Sequence, residues 1–384
     1  SAGSTVLVGQ AWGAQNVEKV RCVVGSTLFM TLIGGTVVAA FGVIFAKQIL
    51  LLLGTDPNVM HLSLPYVQWM LAGSPLLFVY IIYTSILRGV GDSITPLIAL
   101  SLTSAIGLVI TPVLIAGYFG FPKLGIVAPA VATIVGYMAV LLFLAVYLNK
   151  RNHPLKPDRA LLRQIRHQPK LSKIILRLGI PTGIQMVTTS VAGLVIVGLV
   201  NRYGSEATAA YGAVNQVLNY IQFPALSIAI AASIFAAQAI GAGKSDLLNK
   251  VTRTALGMNV VFTGGLVILG YLASKYLMAL FITDPKVVEL GQQLLFIVLW
   301  SIVFFGASAI FASIMRASGT VTVPMIINIV AIILIEVPCA YLFSQWWGLQ
   351  GIWYAYALAF FSLCLMQGLY YQFVWKKKTI TALV

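Results

Sequence analysis

Leu87-Arg88-Gly89-Val90-Gly91-Asp92-Ser93-Ile94-Thr95-Pro96 recurs further along the chain as Met315-Arg316-Ala317-Ser318-Gly319-Thr320-Val321-Thr322-Val323-Pro324. Arg88 and Arg316 stand 228 residues apart, as do Gly91 and Gly319, and Pro96 and Pro324. The same spacing links Gln10-Ala11 to Gln238-Ala239, Gly13 to Gly241, and Thr55-Asp56-Pro57 to Thr283-Asp284-Pro285. The register runs without insertion from Gln10 to about Ile98. Two residues are then lost, so that Pro112 matches Pro338 and Gly125-Ile126 matches Gly351-Ile352. A short match arises by chance, but a constant register of this length does not. The chain is an internal duplication, and each half repeats one architecture.

The class follows from composition. The chain is 60% hydrophobic and 9% charged, with a mean hydropathy of +0.96. A soluble domain carries about 25% charged residues. The apolar residues come in blocks long enough to cross a hydrocarbon layer of about 30 Å. The short alternating segments of a membrane β-barrel are absent. The expected fold is all-α and membrane-integral. Its spans fall at 20–53, 59–87, 94–118, 124–148, 174–200, 207–240, 247–282, 287–315, 321–343 and 351–374. Residues 1–14 read as the tail of a helix leaving the membrane.

Orientation comes from lysine and arginine. Alternating the loops places 19 basic residues on one side and 5 on the other, which predicts that the first side is cytoplasmic. That count accounts for the net charge of +15 without nucleic acid. The largest basic group, between Lys150 and Arg177, joins the halves. The expected organisation is therefore an N-terminal lobe over 1–149, a basic cytoplasmic linker over 150–171, a C-terminal lobe over 172–375 and a cytoplasmic tail over 376–384. The second repeat holds six spans. Subtracting the register from its start places the start of the first repeat before Ser1. The first lobe is thus expected to lack its first span and most of its second, leaving about ten complete spans. Both halves begin on the cytoplasmic side, as in parallel-repeat transporters.

Few residues within the spans carry chemistry. Glu336 lies inside 321–343, two residues before Pro338. At 1.5 Å per residue it sits roughly 22 Å from the cytoplasmic end. An ionisable group at that depth faces a cavity or a partner. Its repeat counterpart is Ile110, so it is either a coupling site for a proton or cation, or a carboxyl steadying the bend at Pro338. Tyr211, Asn215, Asn219 and Gln222 share one helical face by their spacing. They form either the polar wall of a substrate cavity or a set of interhelical hydrogen bonds worth about 0.6 kcal/mol each. Gln185, Thr188 and Thr189 on the preceding span are candidates for the same cavity, unless the threonines bond back to their own helix. Gln68 is a weaker candidate. Arg88, Gly91, Arg316 and Gly319 recur in both halves and read as scaffold. Trp346, Trp347 and Trp375 at span ends read as interfacial anchors. The three cysteines and three histidines form no ligand pattern, so no metal is expected. Without GxxxxGK[ST], ATP-driven transport has no support in this chain, and no catalytic dyad is visible.

Several of these stretches resemble one family. Leu87-Arg88-Gly89-Val90-Gly91-Asp92, the helix exit Val8-Gly9-Gln10-Ala11-Trp12-Gly13-Ala14 and its echo Ala236-Ala237-Gln238-Ala239-Ile240-Gly241-Ala242 are similar to the multidrug and toxic compound extrusion (MATE) family of bacterial type. So are Leu178-Gly179-Ile180-Pro181 and Tyr203-Gly204-Ser205-Glu206-Ala207. The resemblance implies two six-helix lobes. It also implies a cell-membrane antiporter exporting amphipathic, cationic drugs or metabolites in exchange for H⁺ or Na⁺, by alternating access between the lobes. No cofactor and no nucleic-acid partner are expected, and the expected working unit is a monomer. A lipid-linked oligosaccharide flippase of the same superfamily is the alternative, although its cavity should be strongly cationic. The chain departs from the NorM-like branch: Thr189 and Phe305 stand where that branch carries a Glu and an Asp. The coupling Asp of DinF-like members belongs to a first helix that has no counterpart here.

Overall fold

The computed structural model describes residues 2–384. Among the described residues the chain is helical throughout, without a strand. Among the described residues nine helices are long and apolar enough to cross a membrane, and a tenth span is reached if one bent pair counts as a span. That pair is α3 (Pro57–Ala72) and α4 (Ser74–Gly89), which turn by 44° at their junction. Pro75 opens α4 and donates no backbone hydrogen bond across the break. The pair occupies the span expected at 59–87.

The helices form two units, Ser1–Leu176 and Arg177–Val384. In the first, α1 (Ala2–Gly13) packs against α2 (Val17–Leu52) and α4, while α5 (Ile94–Ala116) packs against α6 (Ala128–Lys150). The Asn16 side chain caps α2 by accepting from the Lys19 amide at 2.9 Å.

The basic segment after α6 is fastened to this unit. Arg21 on α2 donates to the Pro154 carbonyl at 3.2 Å and lies 3.4 Å from Asp158. The Tyr83 hydroxyl on α4 donates to the Leu155 carbonyl, and the Leu155 and Leu161 side chains are buried. Asp158 caps the short helix α7 (Arg159–Arg163) by accepting from the Leu161 amide at 2.8 Å. That bond, aided by Arg21 and opposed by partial burial, holds the Asp158 carboxyl below its usual range. His153 lies 3.7 Å from Asp92. Burial nevertheless outweighs the carboxylate and pushes the imidazole below its ordinary value, so this contact is a weak ion pair at neutral pH.

The division between units falls inside α8 (Pro169–Val200). The second unit is built around α9 (Ser205–Gly241), which packs against α10 (Leu247–Ala279), α11 (Pro285–Val298) and α12 (Ile302–Ala317). Its alanines allow close approach, and Ala210, Ala225, Ala236 and Ala237 are fully buried. The chain continues through α13 (Thr322–Val330), a π-helical turn at Ala331–Glu336, α14 (Val337–Trp347) and α15 (Leu349–Phe373). The π-turn has a local cause. Pro338 offers no N–H to the carbonyl four residues back, and the Val337 amide bonds five residues back to Ile332.

The duplication is visible in the caps. After α4 the Gly91 amide bonds to the Arg88 carbonyl at 2.9 Å and the Asp92 amide to Leu87 at 3.0 Å. After α12 the Gly319 amide bonds to Arg316 at 2.9 Å and Thr320 to Met315 at 3.1 Å. Both glycines are left-handed, with φ of 91° and 86°. This is why the motif closes on glycine. Asp56 and Asp284 cap α3 and α11 in the same way, accepting at 2.7 and 2.9 Å.

One sequence expectation needs correction. Trp375 does not anchor at an interface as expected, for it is buried, stacks on Tyr371 and donates to Ser318 at 3.0 Å. Trp346 and Trp347 are exposed.

Candidate functional site

A cavity of about 510 Å³ lies within the second unit. On α8, Thr182, Gln185, Met186, Thr189 and Ser190 line it. Their spacing of three and four residues makes one helical face. On α12 the lining runs through Phe305, Ser308, Ala309, Ala312 and Arg316, again one face. The small side chains in the middle of that face leave the space. Leu226 of α9, Asn328 of α13, and Leu363 and Gln367 of α15 complete the wall.

Two of the expected residues, Gln185 and Thr189, are brought together here. The Thr189 hydroxyl donates back to the Gln185 carbonyl at 3.0 Å, and Thr188 donates likewise to Ile184 at 2.9 Å. Thr188 is one residue off the lining face and is absent from the wall.

The stripe on α9 divides. Tyr211 is buried in the core, its hydroxyl 3.1 Å from that of Tyr356 and its ring tilted on Trp353. Asn215 borders a separate depression with Gln216, Phe281 and Ile282. Asn219 is exposed and Gln222 half-buried. Leu226, one turn beyond Gln222 on the same face, is the α9 residue that reaches the cavity, so the polar stripe ends just short of it. Gln68 is half-buried in the first unit.

Glu336 closes the π-turn and is half-buried. It stands close enough to Tyr356 for an electrostatic interaction. No described Lys, Arg or His forms an ion pair with it. Neither Glu336 nor the Tyr211–Tyr356 pair lines the cavity.

Arg316, Gln367 and Asn328 are among the lining residues that escaped the sequence reading. Arg316 reads as scaffold there, yet it lines the cavity. Gln367 is buried; its amide donates to the Pro324 carbonyl at 3.1 Å, while its oxygen has no partner. The buried oxygen of Asn328 has none either. A signal was available. In the first repeat Gln367 corresponds to Leu141, and Asn328 to Leu100 or Leu102. This is the same repeat asymmetry that singles out Glu336.

The MatE family profile matches residues 1–113 and 181–342 of this chain. The chain belongs to the MatE family. It is similar to "Probable multidrug resistance protein YoeA" of Bacillus subtilis, 46% identical over all of this chain and 83% of that protein. It is also similar to "Probable multidrug resistance protein YpnP" of the same organism, at 29% over 96% of this chain and 80% of that one. Its fold matches a crystal structure of the Vibrio cholerae MATE transporter VcmN, with a TM-score of 0.90 and 19% identity over 99% of this chain and 84% of that one. These matches lend no support to the expectation of missing N-terminal spans. MatE proteins are membrane transporters and not enzymes, and they need no cofactor. Thr189 and Phe305, which depart from the NorM-like acids, both line the cavity, and none of its lining residues is acidic.

Proposed function

We propose that this MatE protein is a secondary antiporter exporting amphipathic drugs or metabolites in exchange for H⁺ or Na⁺ by alternating access. The observation that carries the proposal is the cavity in the second unit. A packed lipid-facing bundle has no need of a polar wall there, yet the wall collects Gln185, Thr189, Ser190, Ser308, Asn328, Gln367 and Arg316. The volume of about 510 Å³ suits a drug-sized molecule. The names of the Bacillus relatives point the same way.

In this reading Gln185 holds cargo and Glu336 is the coupling carboxyl. Tyr211, Asn215, Asn219, Gln222, Thr188 and Gln68 serve the approach or the packing around it. The protein works as a monomer in the cell membrane, with the Lys150–Arg177 segment and the C-terminus cytoplasmic. The support for that orientation is the charge count. A lipid-linked oligosaccharide flippase is not favoured. Its pyrophosphate calls for a cluster of cations, and the cavity has a single arginine.

Gln185→Leu tests the cavity. The change keeps volume and removes one hydrogen-bonding group worth about 1 kcal/mol, or roughly fivefold in binding. Dye efflux from cells expressing equal amounts of protein should fall about that far. Efflux unchanged in Gln185→Leu would remove the cavity from the transport path.

A further inference from the structure

The wall of this cavity carries a cation and two unpaired acceptors. Arg316 is half-buried and donates to the Ser313 hydroxyl at 3.0 Å. Among the described residues no carboxylate pairs with it. Its guanidinium has five N–H donors and can bind a planar anion through two of them. The oxygens of Gln367 and Asn328 are buried without a partner, and Gln367 as a residue is only 2% exposed. A buried acceptor left unpaired costs about 1–3 kcal/mol, so each is a place where a ligand donor would be favoured.

A scaffold role accounts for only part of this. Arg88 stands at the matching place in the first unit and donates to Ser85 at the same 3.0 Å. Positive charge near a helix C-terminus and the helix-ending turn explain an arginine in both repeats. They do not explain two buried, unpaired amide oxygens on residues that line a cavity in the second repeat, where the first repeat has leucines. The polar chemistry around Arg316 was added to one copy of the scaffold.

We infer that the second-unit cavity binds the anionic group of an amphipathic molecule, a carboxylate or phosphate on Arg316, with N–H or O–H donors of the same molecule on Gln367 and Asn328. The class of cargo is thus zwitterionic or anionic and not purely cationic. This assignment rests on the reading that the cavity carries cargo. The same chemistry is offered by the headgroup of an anionic lipid, and the test separates the two.

The experiment is a binding titration on the purified full-length protein in detergent with zwitterionic lipid. The probe is an aminoxanthene dye, used as its free carboxylate and as its methyl ester. The two forms share shape and amine donors and differ in the anion. The wild type is expected to bind the carboxylate about tenfold more tightly, the scale of one hydrogen bond to a charged group. Arg316→Gln should bring the two forms within about twofold, and Arg316→Lys, a point charge without the two-donor fork, should keep only part of the preference. Gln367→Leu should weaken both forms alike. Equal binding of the two forms by the wild type, which needs no variant to fold, would overturn the inference. So would a preference that survives in Arg316→Gln. In a second arm, phosphatidylglycerol replaces part of the zwitterionic lipid. An unchanged carboxylate affinity supports a cargo site. Displacement of the dye, with phosphatidylglycerol retained by the wild type and lost in Arg316→Gln, overturns the cargo assignment in favour of a headgroup. Binding in detergent needs no ion gradient, so a protein that fails to export still returns a result here.

Discussion

Gly351→Val is expected to leave no folded protein in mild detergent. Gly351 lies in the first turn of α15, where its amide bonds to Gly348 at 3.1 Å. A β-carbon there would run into the backbone of Phe343 and Ser344 on α14. Backbone cannot rotate aside, so α14 and α15 would have to separate. That would open the core that holds Ala340, Ile352 and Trp353. Overpacking a core costs about 1–3 kcal/mol and more where nothing can yield. Gly291→Ala is the control. Its new carbon meets the flexible end of Met278, which can shift where backbone cannot, and the cost should stay within about 1–3 kcal/mol, leaving a folded protein. Monodispersity on size-exclusion and a denaturation midpoint in detergent read both variants. A Gly351→Val protein with wild-type stability would mean that the two helices do not approach as closely as described.

Glu336→Gln is expected to fold and insert normally and to lose coupled export by about tenfold, which corresponds to 1.4 kcal/mol. The amide keeps the size of the carboxyl and much of its hydrogen bonding, so the π-turn before Pro338 should persist. What is lost is a group that can exchange a proton or hold a cation. Its setting supports that role. No described cation forms an ion pair with it, and it interacts electrostatically with Tyr356, whose hydroxyl meets that of Tyr211. π-turns interrupt helices frequently at functional sites. Export measured at several pH values, at equal expression, checks the claim. A rate and pH dependence identical to wild type would reduce Glu336 to a structural residue at the bend.

Most of the fold was legible in the sequence because a membrane leaves a chain few choices. Apolar blocks, glycine and proline punctuation and the repeat register placed the spans. The cap geometry after Arg88 and Arg316 then repeats almost bond for bond. The π-turn was less legible. Pro338 marked a bend at that place, but where the slip in hydrogen bonding falls depends on which carbonyls are freed.

The site was legible in part. Gln185 and Thr189 could be found because a polar helical face in lipid needs a reason. Tyr211 could not be separated from Asn215, Asn219 and Gln222 by spacing. Its helix turns it into the core, where an aromatic ring packs on Trp353 and its hydroxyl finds Tyr356. Arg316 was hidden by its own recurrence. A residue kept by both repeats looks like scaffold until its neighbours, Asn328 and Gln367, are seen to differ from the leucines of the first copy.

The most direct measurement is antiport by the purified wild-type protein in liposomes loaded with an amphipathic dye. An inward-directed H⁺ or Na⁺ gradient should drive dye efflux, with a counterflow of the same ion that stops when the gradient is collapsed by an ionophore. Efflux should also be lost when cargo fills only empty, protein-free liposomes. Dye movement that is equally fast with and without either gradient, in the presence of correctly inserted protein, would contradict the assignment of this chain as a secondary antiporter.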